Sequence, residues 1–287
     1  MKTRLVTDST ADLPSKYLAQ YRIEVIPAIL VMEGKSFADG KDISRADFYT
    51  RMPAMQTPAT TAAPSSGSFK ACYKKLFAEG AEKIISLHAA SNLSGIFNAA
   101  RLAAESFGKR VEVIDSRQLS LGMGFQLLAL GEKIAKGEQL ENLIDYLKQF
   151  RERLKLIAVL DTLEYLRRSG RVSWAKARLG SLLNLKPMIE LSEGQVENLG
   201  AVRTTRLANL RLQETLEELN TLENLAILHT NAEDRARAFL DALSLNLAAP
   251  PLIVNVTTAI GAHLGPNGLG FAAITKQLKD KTNPMIK

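Results

Sequence analysis

The chain has 287 residues, 46% of them hydrophobic and 23% charged, which is enough to bury a sizeable core and, at roughly 150 residues per domain, to fill two domains. The single cysteine, Cys72, excludes an internal disulfide, no window approaches the roughly 18 apolar residues of a membrane span, and the apolar run after Met1 is too brief for a secretory signal; a reducing cytoplasm is the expected location. Lys and Arg outnumber Asp and Glu by 37 to 30, and this net charge of +7 favours an anionic partner without choosing among phosphate, nucleic acid, membrane or acidic protein.

Strand and helix patterns alternate from the start. The spacing predicts a strand over Thr3–Thr7, a helix over Ser15–Tyr21, a strand over Glu24–Val31 and a helix over Arg45–Arg51. A polar loop, 53–66, carries three prolines and leads into a helix over Gly67–Glu79. The strand Lys83–Leu87 follows, then a helix opened by Ser91–Gly95 and reaching Phe107, a strand over Arg110–Ile114 and a long helix from Leu121. Leu140, Leu143, Ile144, Leu147, Phe150 and Leu154 recur at steps of three and four, the apolar stripe of an amphipathic helix that closes a first domain over 1–155. Leu156–Leu160 then starts a second domain, 156–287, with further strands near Pro187–Leu191, Val196–Ala201, Leu225–His229 and Leu252–Thr257 and a short C-terminal segment. The class is α/β: two α/β domains, the first a mostly parallel sheet flanked by helices, the second a smaller mixed sheet with helices.

Three loops of the first domain share one design, in which Ser or Thr hydroxyls precede a helix: Asp8-Ser9-Thr10, Thr60-Thr61 through Ser65, and Ser91 through Ser94-Gly95. In an open parallel sheet such loops gather at the carboxyl ends of the strands, where helix N-termini offer unpaired N–H groups to an anion. The plainer reading makes each hydroxyl a helix cap and nothing more. There is no phosphate loop of the Gly-x-x-x-x-Gly-Lys type, no Gly-x-Ser-x-Gly elbow and no Cys or His cluster at metal spacing. Of the three histidines, His88 and His229 sit in apolar strand patterns, whereas His263 lies in the glycine-rich run Ile260–Gly268. A basic cluster, Arg167, Arg168, Arg171, Lys176 and Arg178 around Trp174, followed by Arg203 and Arg206, is either a solvated face or a docking patch for phosphate or protein.

These segments, in order, resemble the DegV family along nearly the whole chain. Thr7-Asp8-Ser9-Thr10-Ala11-Asp12-Leu13 resembles its opening signature, Asp39–Ile43 its Asp-Gly element, Thr60–Ser65 its threonine loop, and Ser91–Gly95 its Ser-x-Leu-Ser-Gly loop. Val113–Ser116, Leu166–Arg171, Lys186-Pro187 and Gly261–Pro266 continue the series. Two positions depart from it, each by losing a hydroxyl: Ala62 stands for the usual Ser and Ile96 for the usual Thr.

The resemblance implies a carrier that holds one long-chain fatty acid and presents its carboxylate to a separate fatty acid kinase, which makes the acyl phosphate. It implies that Thr61, Ser94 and Gly95 bind the carboxylate, that Asp8 and Ser9 support the loop, and that His263, Arg171 and Arg203 serve kinase docking or phosphoryl transfer. It implies no cofactor, no metal, no catalytic residue of the chain's own and no nucleic acid, with a transient membrane contact left open. Physical reasoning agrees: burying a sixteen-carbon tail is worth on the order of 10 kcal/mol at ~0.8 kcal/mol per methylene, so hydroxyls need only fix the head, which stays nucleophilic. Two other readings stand beside this one. Asp8, Ser9, Ser94 and His263 are residue types that would suit a hydrolase or phosphotransferase acting on a small anion, and the basic cluster would suit a nucleic-acid-binding module.

Overall fold

A computed structural model describes residues 2–138, 140–177, 185–219, 221–244, 247 and 249–276. The first half contains β1 (Thr3–Asp8), α1 (Ser15–Gln20), β2 (Glu24–Ile26), β3 (Ile29–Met32), β4 (Lys35–Ala38), α2 (Arg45–Arg51), β5 (Thr60–Ala62) and α3 (Ser66–Ala78). It continues with β6 (Lys83–His88), α4 (Ile96–Ala104), β7 (Val111–Asp115), α5 (Ser120–Ala135) and α6 (Leu140–Glu152). The second half has β8 (Leu154–Val159), α7 (Glu164–Ser169), α8 (Ser173–Ala177), β9 (Lys186–Ser192), β10 (Gln195–Val202) and α9 (Thr205–Glu218). After these come β11 (Leu222–His229), α10 (Glu233–Asp241), β12 (Leu252–Asn255), α11 (Thr258–Leu264) and β13 (Leu269–Thr275).

The strands form a four-stranded parallel sheet in the order β2-β1-β6-β7, a six-stranded mixed sheet in the order β10-β9-β8-β13-β11-β12, and a three-stranded antiparallel sheet, β4-β3-β5. The α/β class is the expected one, with a parallel sheet and then a mixed sheet; the mixed sheet, expected to be the smaller, has six strands against four. The run 24–31, read as one strand, is two. Pro27 has no N–H to give a ladder, and beyond it the chain leaves the parallel sheet and turns into the antiparallel one. The loop 53–66 contains β5, and the C-terminal segment contains β13, which lies between β8 and β11 near the centre of its sheet. Its sequence, LGFAAIT, is buried on both faces apart from the last residue and so shows no alternation of polar and apolar positions.

The largest apolar cluster is shared by the two halves: Leu5, Ile85, Leu121 and Leu147 pack in one group with Leu156, Leu191, Ala226 and Ile274. Helix α11, from the second half, packs against α2, β3, β5 and α7. Gly261 makes this approach feasible, since a Cβ there would come within 2.2 Å of the buried Tyr49 hydroxyl. Gly265, at φ +79°, ends the helix, as a residue that readily takes positive φ should.

Candidate functional site

A cavity lies where β5, the N-terminus of α4, the α7–α8 corner and α11 meet. Thr10, Thr61, Ser94, Gly95, Arg171 and His263 are among its lining. Thr61 sits on β5, paired with Leu30 of β3, so strand geometry and not a helix cap sets its direction. Ser94 precedes α4, and its Oγ accepts a hydrogen bond from the Ile96 N–H at 3.3 Å, leaving its own proton free for another partner. Gly95 is the N-cap residue of that helix. Arg171 follows Gly170, whose left-handed φ of 70° stops α7, and it is held there by Nη1 donating to the Ser169 carbonyl at 2.7 Å.

His263 projects from α11 and its Nε2 lies 2.8 Å from Thr61 Oγ1, the tautomer deciding which atom donates. Burial pushes its pKa down to about 4, with the nearby Arg171 acting in the same direction, so the imidazole is neutral at neutral pH. The helix that carries it is pinned by a buried acidic pair. Asp12 Oδ1 accepts from the Thr257 N–H at 2.9 Å and pairs with Arg45 at 2.9 Å, while Oδ2 accepts from the Ser120 hydroxyl at 2.6 Å. Asp39 accepts from the hydroxyls of Thr257 and Thr258, the latter at 2.6 Å, and the Tyr49 hydroxyl donates to the Val256 carbonyl at 3.2 Å. Burial pushes Asp12 up to about 6 against the opposing pull of Arg45.

Asp8 and Ser9 lie behind the cavity, not on it. Asp8 caps the short turn after β1 by accepting from the Thr10 N–H at 3.0 Å and from the Thr10 hydroxyl, and its other oxygen accepts from His88 Nδ1 at 2.9 Å and the Ala89 N–H at 3.2 Å. Ser9 Oγ accepts from the Ala28 N–H at 3.0 Å. Arg203 is exposed, after β10, and does not line the cavity. Arg167 and Arg168 both pair with Glu164; the side chain of Lys176 and the whole of Arg178 fall outside the described residues. Of the residue types that would suit a hydrolase, Ser94 and His263 share the cavity lining while Asp8 and Ser9 do not line it; His263 is hydrogen-bonded to Thr61, and Asp8 to Thr10, His88 and the Ala89 N–H.

A second chamber adjoins the cavity on the face of the mixed sheet. Leu119, Leu166, Val196, Ile260 and Leu264 line both. The second chamber is walled largely by aliphatic side chains of β8, β9 and β11, among them Leu156, Ile189, Leu191 and Leu228, with Leu160 just after β8. Pattern reasoning had no means of separating these from ordinary core. Thr10, by contrast, stood in the Asp8-Ser9-Thr10 segment already singled out, and it is Thr10, not Asp8 or Ser9, that lines the cavity. Ala62 and Ile96, the two positions without the family hydroxyl, are both on the lining. Among the described residues no group of three or more His, Cys, Asp or Glu is placed to hold a metal, and no helix is long and apolar enough to cross a membrane.

The same mouth and chamber invite comparison with known proteins. The model of the family described as "Uncharacterised protein, DegV family" matches residues 2–276. A DegV domain-containing protein of Staphylococcus aureus is 32% identical over 279 residues, covering 96% of this chain and 99% of the relative. One of Streptomyces coelicolor is 33% identical over 276 residues, covering 95% and 98%. Among solved structures, a DegV family protein of Thermus thermophilus described by its fatty acid binding superposes with a TM-score of 0.88 at 31% identity, over 96% of this chain and 100% of that one. DegV of Bacillus subtilis, described as a fatty acid binding protein, gives 0.85 at 28% identity, over 96% and 100%. Matched from end to end in sequence and in fold, the chain belongs to the DegV family.

Proposed function

We propose that the protein binds a single long-chain fatty acid and presents its carboxyl group to a partner fatty acid kinase for acyl-phosphate formation, with no chemistry of its own. The observation that carries this reading is the polarity gradient of the cavity. The first cavity carries hydroxyls and a neutral imidazole on its lining, and the chamber that adjoins it, sharing five lining residues, is walled mainly by aliphatic side chains. Such a shape suits a molecule with one small polar head and a long apolar tail, and solved DegV relatives are described as fatty acid binding. Tail burial supplies affinity at ~0.8 kcal/mol per methylene, and the head needs only orientation.

In this reading Thr61, Ser94 and Gly95 hold the head, Asp8 and Ser9 set the loop behind it, and the chain divides near residue 155. Residues 1–155 bring the head-binding loops, and 156–287 bring most of the tail chamber together with His263. Arg171 at the rim and the exposed Arg203 serve the partner, where guanidinium groups can neutralise incoming nucleotide phosphates. The protein acts in the cytoplasm, with transient contact at a membrane to collect or return the acid.

Displacement of a fluorescent fatty acid tests the division of roles. Thr61→Val and Ser94→Ala should each weaken binding by about tenfold, the loss of one net hydrogen bond. Arg203→Ala should leave binding unchanged and slow acyl-phosphate formation by added kinase. Equal loss of binding in all three, at unchanged melting temperature, would contradict the assignment.

A further inference from the structure

The side chains that surround Asp8 fix what Thr10 can offer to the cavity. Asp8 accepts a backbone N–H on each carboxyl oxygen, from Thr10 at 3.0 Å and from Ala89 at 3.2 Å, so both oxygens act as acceptors. His88 Nδ1 lies 2.9 Å from the second of these oxygens. The Thr10 hydroxyl, bonded to Asp8 Oδ1, must spend its only proton there. On its far side His88 Nε2 is tied to Ser86 Oγ at 2.6 Å, and Ser86 to the Tyr73 hydroxyl at 2.8 Å. Asp8, Ser86, His88 and Tyr73 are fully enclosed, and Phe69 packs edge-on against the imidazole, so solvent does not rearrange this chain. Thr10 is its one member on the cavity lining.

With its proton engaged by Asp8, the Thr10 hydroxyl has only lone pairs left to offer the cavity it lines, whereas Ser94, whose oxygen accepts from Ile96, has a proton to give. One donor and one acceptor complement a group that is itself half donor and half acceptor. A carboxylate has no proton for Thr10 and would set charge against a lone pair in a buried site. The arginine of the lining, Arg171, is exposed and turns one nitrogen to the Ser169 carbonyl.

We propose that Thr10, oriented by Asp8, is a positioning and specificity residue that makes the mouth select a neutral head group carrying a hydrogen-bond donor, so that a fatty acid is stored as the protonated carboxylic acid. The inference rests on the fatty-acid reading above.

The experiment uses the full chain, freed of lipid, and three ligands of one tail length: hexadecanoic acid, hexadecanamide and heptadecan-2-one. The amide keeps a donor N–H beside a carbonyl; the methyl ketone has the same shape with a methyl in its place. The amide should bind within about tenfold of the acid and the ketone about tenfold more weakly than the amide, the worth of one neutral hydrogen bond. Thr10→Val, which keeps the branched shape, should erase the difference between amide and ketone. If the acid binds while the amide does not, or if amide and ketone bind equally to the unaltered chain, the inference fails and the fatty-acid reading stands. If none of the three binds, both fail. Should Thr10→Val not fold, the comparison of amide with ketone on the unaltered protein decides alone.

Discussion

His263 shows how burial sets the chemistry of a single side chain. Desolvation, followed by the charge of Arg171, lowers its pKa to about 4 from an ordinary 6.5. The folded protein therefore binds less proton at His263 than the unfolded chain does, so this group's contribution to stability is complete above pH ~6.5 and is lost as the pH falls towards 4. A ring-proton titration by NMR should show a His263 midpoint near 4, and the midpoint should rise in Arg171→Ala as the like charge is removed. A midpoint near 6.5 would mean that the ring is solvated and not held against Thr61. His263 stood out in the sequence because of its glycine-rich run, but its bond to Thr61 joins residues 202 apart in the chain and has no local signature. That bond also couples two residues which the resemblance assigned to separate tasks, head binding and transfer.

At the scale of elements, the glycines of α11 explain what the Gly261–Pro266 motif does physically. The helix lies so close to Tyr49 that a methyl at 261 would overlap the phenol oxygen, which is itself fixed on the Val256 carbonyl. Gly261→Ala should therefore destabilise the fold by about 1–3 kcal/mol, the usual cost of overpacking, and loosen the seat of His263. Urea unfolding monitored by circular dichroism checks this; a change below about 0.5 kcal/mol would show that Tyr49 moves aside freely. The long periodic helix α6 was legible from apolar spacing, since one of its faces has to meet the core. Three short or two-sided elements were not. β4 and β5 have four and three residues, too few to show alternation, and β13 is buried on both faces, so period 2 vanishes. Missing β5 had a consequence for the site, because Thr61 was placed in a capping loop when it is held by a strand ladder.

For the whole molecule, the two halves are joined through chemistry that bears on the cavity. Asp12, Asp39 and Arg45 from the first half grip Thr257, Thr258 and the Asn255 carbonyl at the start of α11. Asp12 alone pairs with the Arg45 guanidinium there, Asp39 accepts from the two threonine hydroxyls, and the cost of burying charge is offset by these hydroxyl and backbone donors. The mouth of the cavity takes residues from both halves, so its geometry depends on this junction as much as on the loops themselves. The opening signature and the Asp-Gly element were visible as motifs, yet the structural task of Asp12 and Asp39 within them was not, since their partners lie more than 200 residues further along the chain. The order of motifs was informative about family and class; the tail chamber was hidden because an aliphatic pocket and an aliphatic core are built from the same residues. The central claim, that this cavity holds one fatty acid, is tested most directly by native mass spectrometry of the purified protein, with denaturing extraction and identification of what is released. The account predicts one long-chain fatty acid per chain, or uptake of one when the acid is added to emptied protein. A protein that leaves the cell empty and takes up no added fatty acid would contradict it.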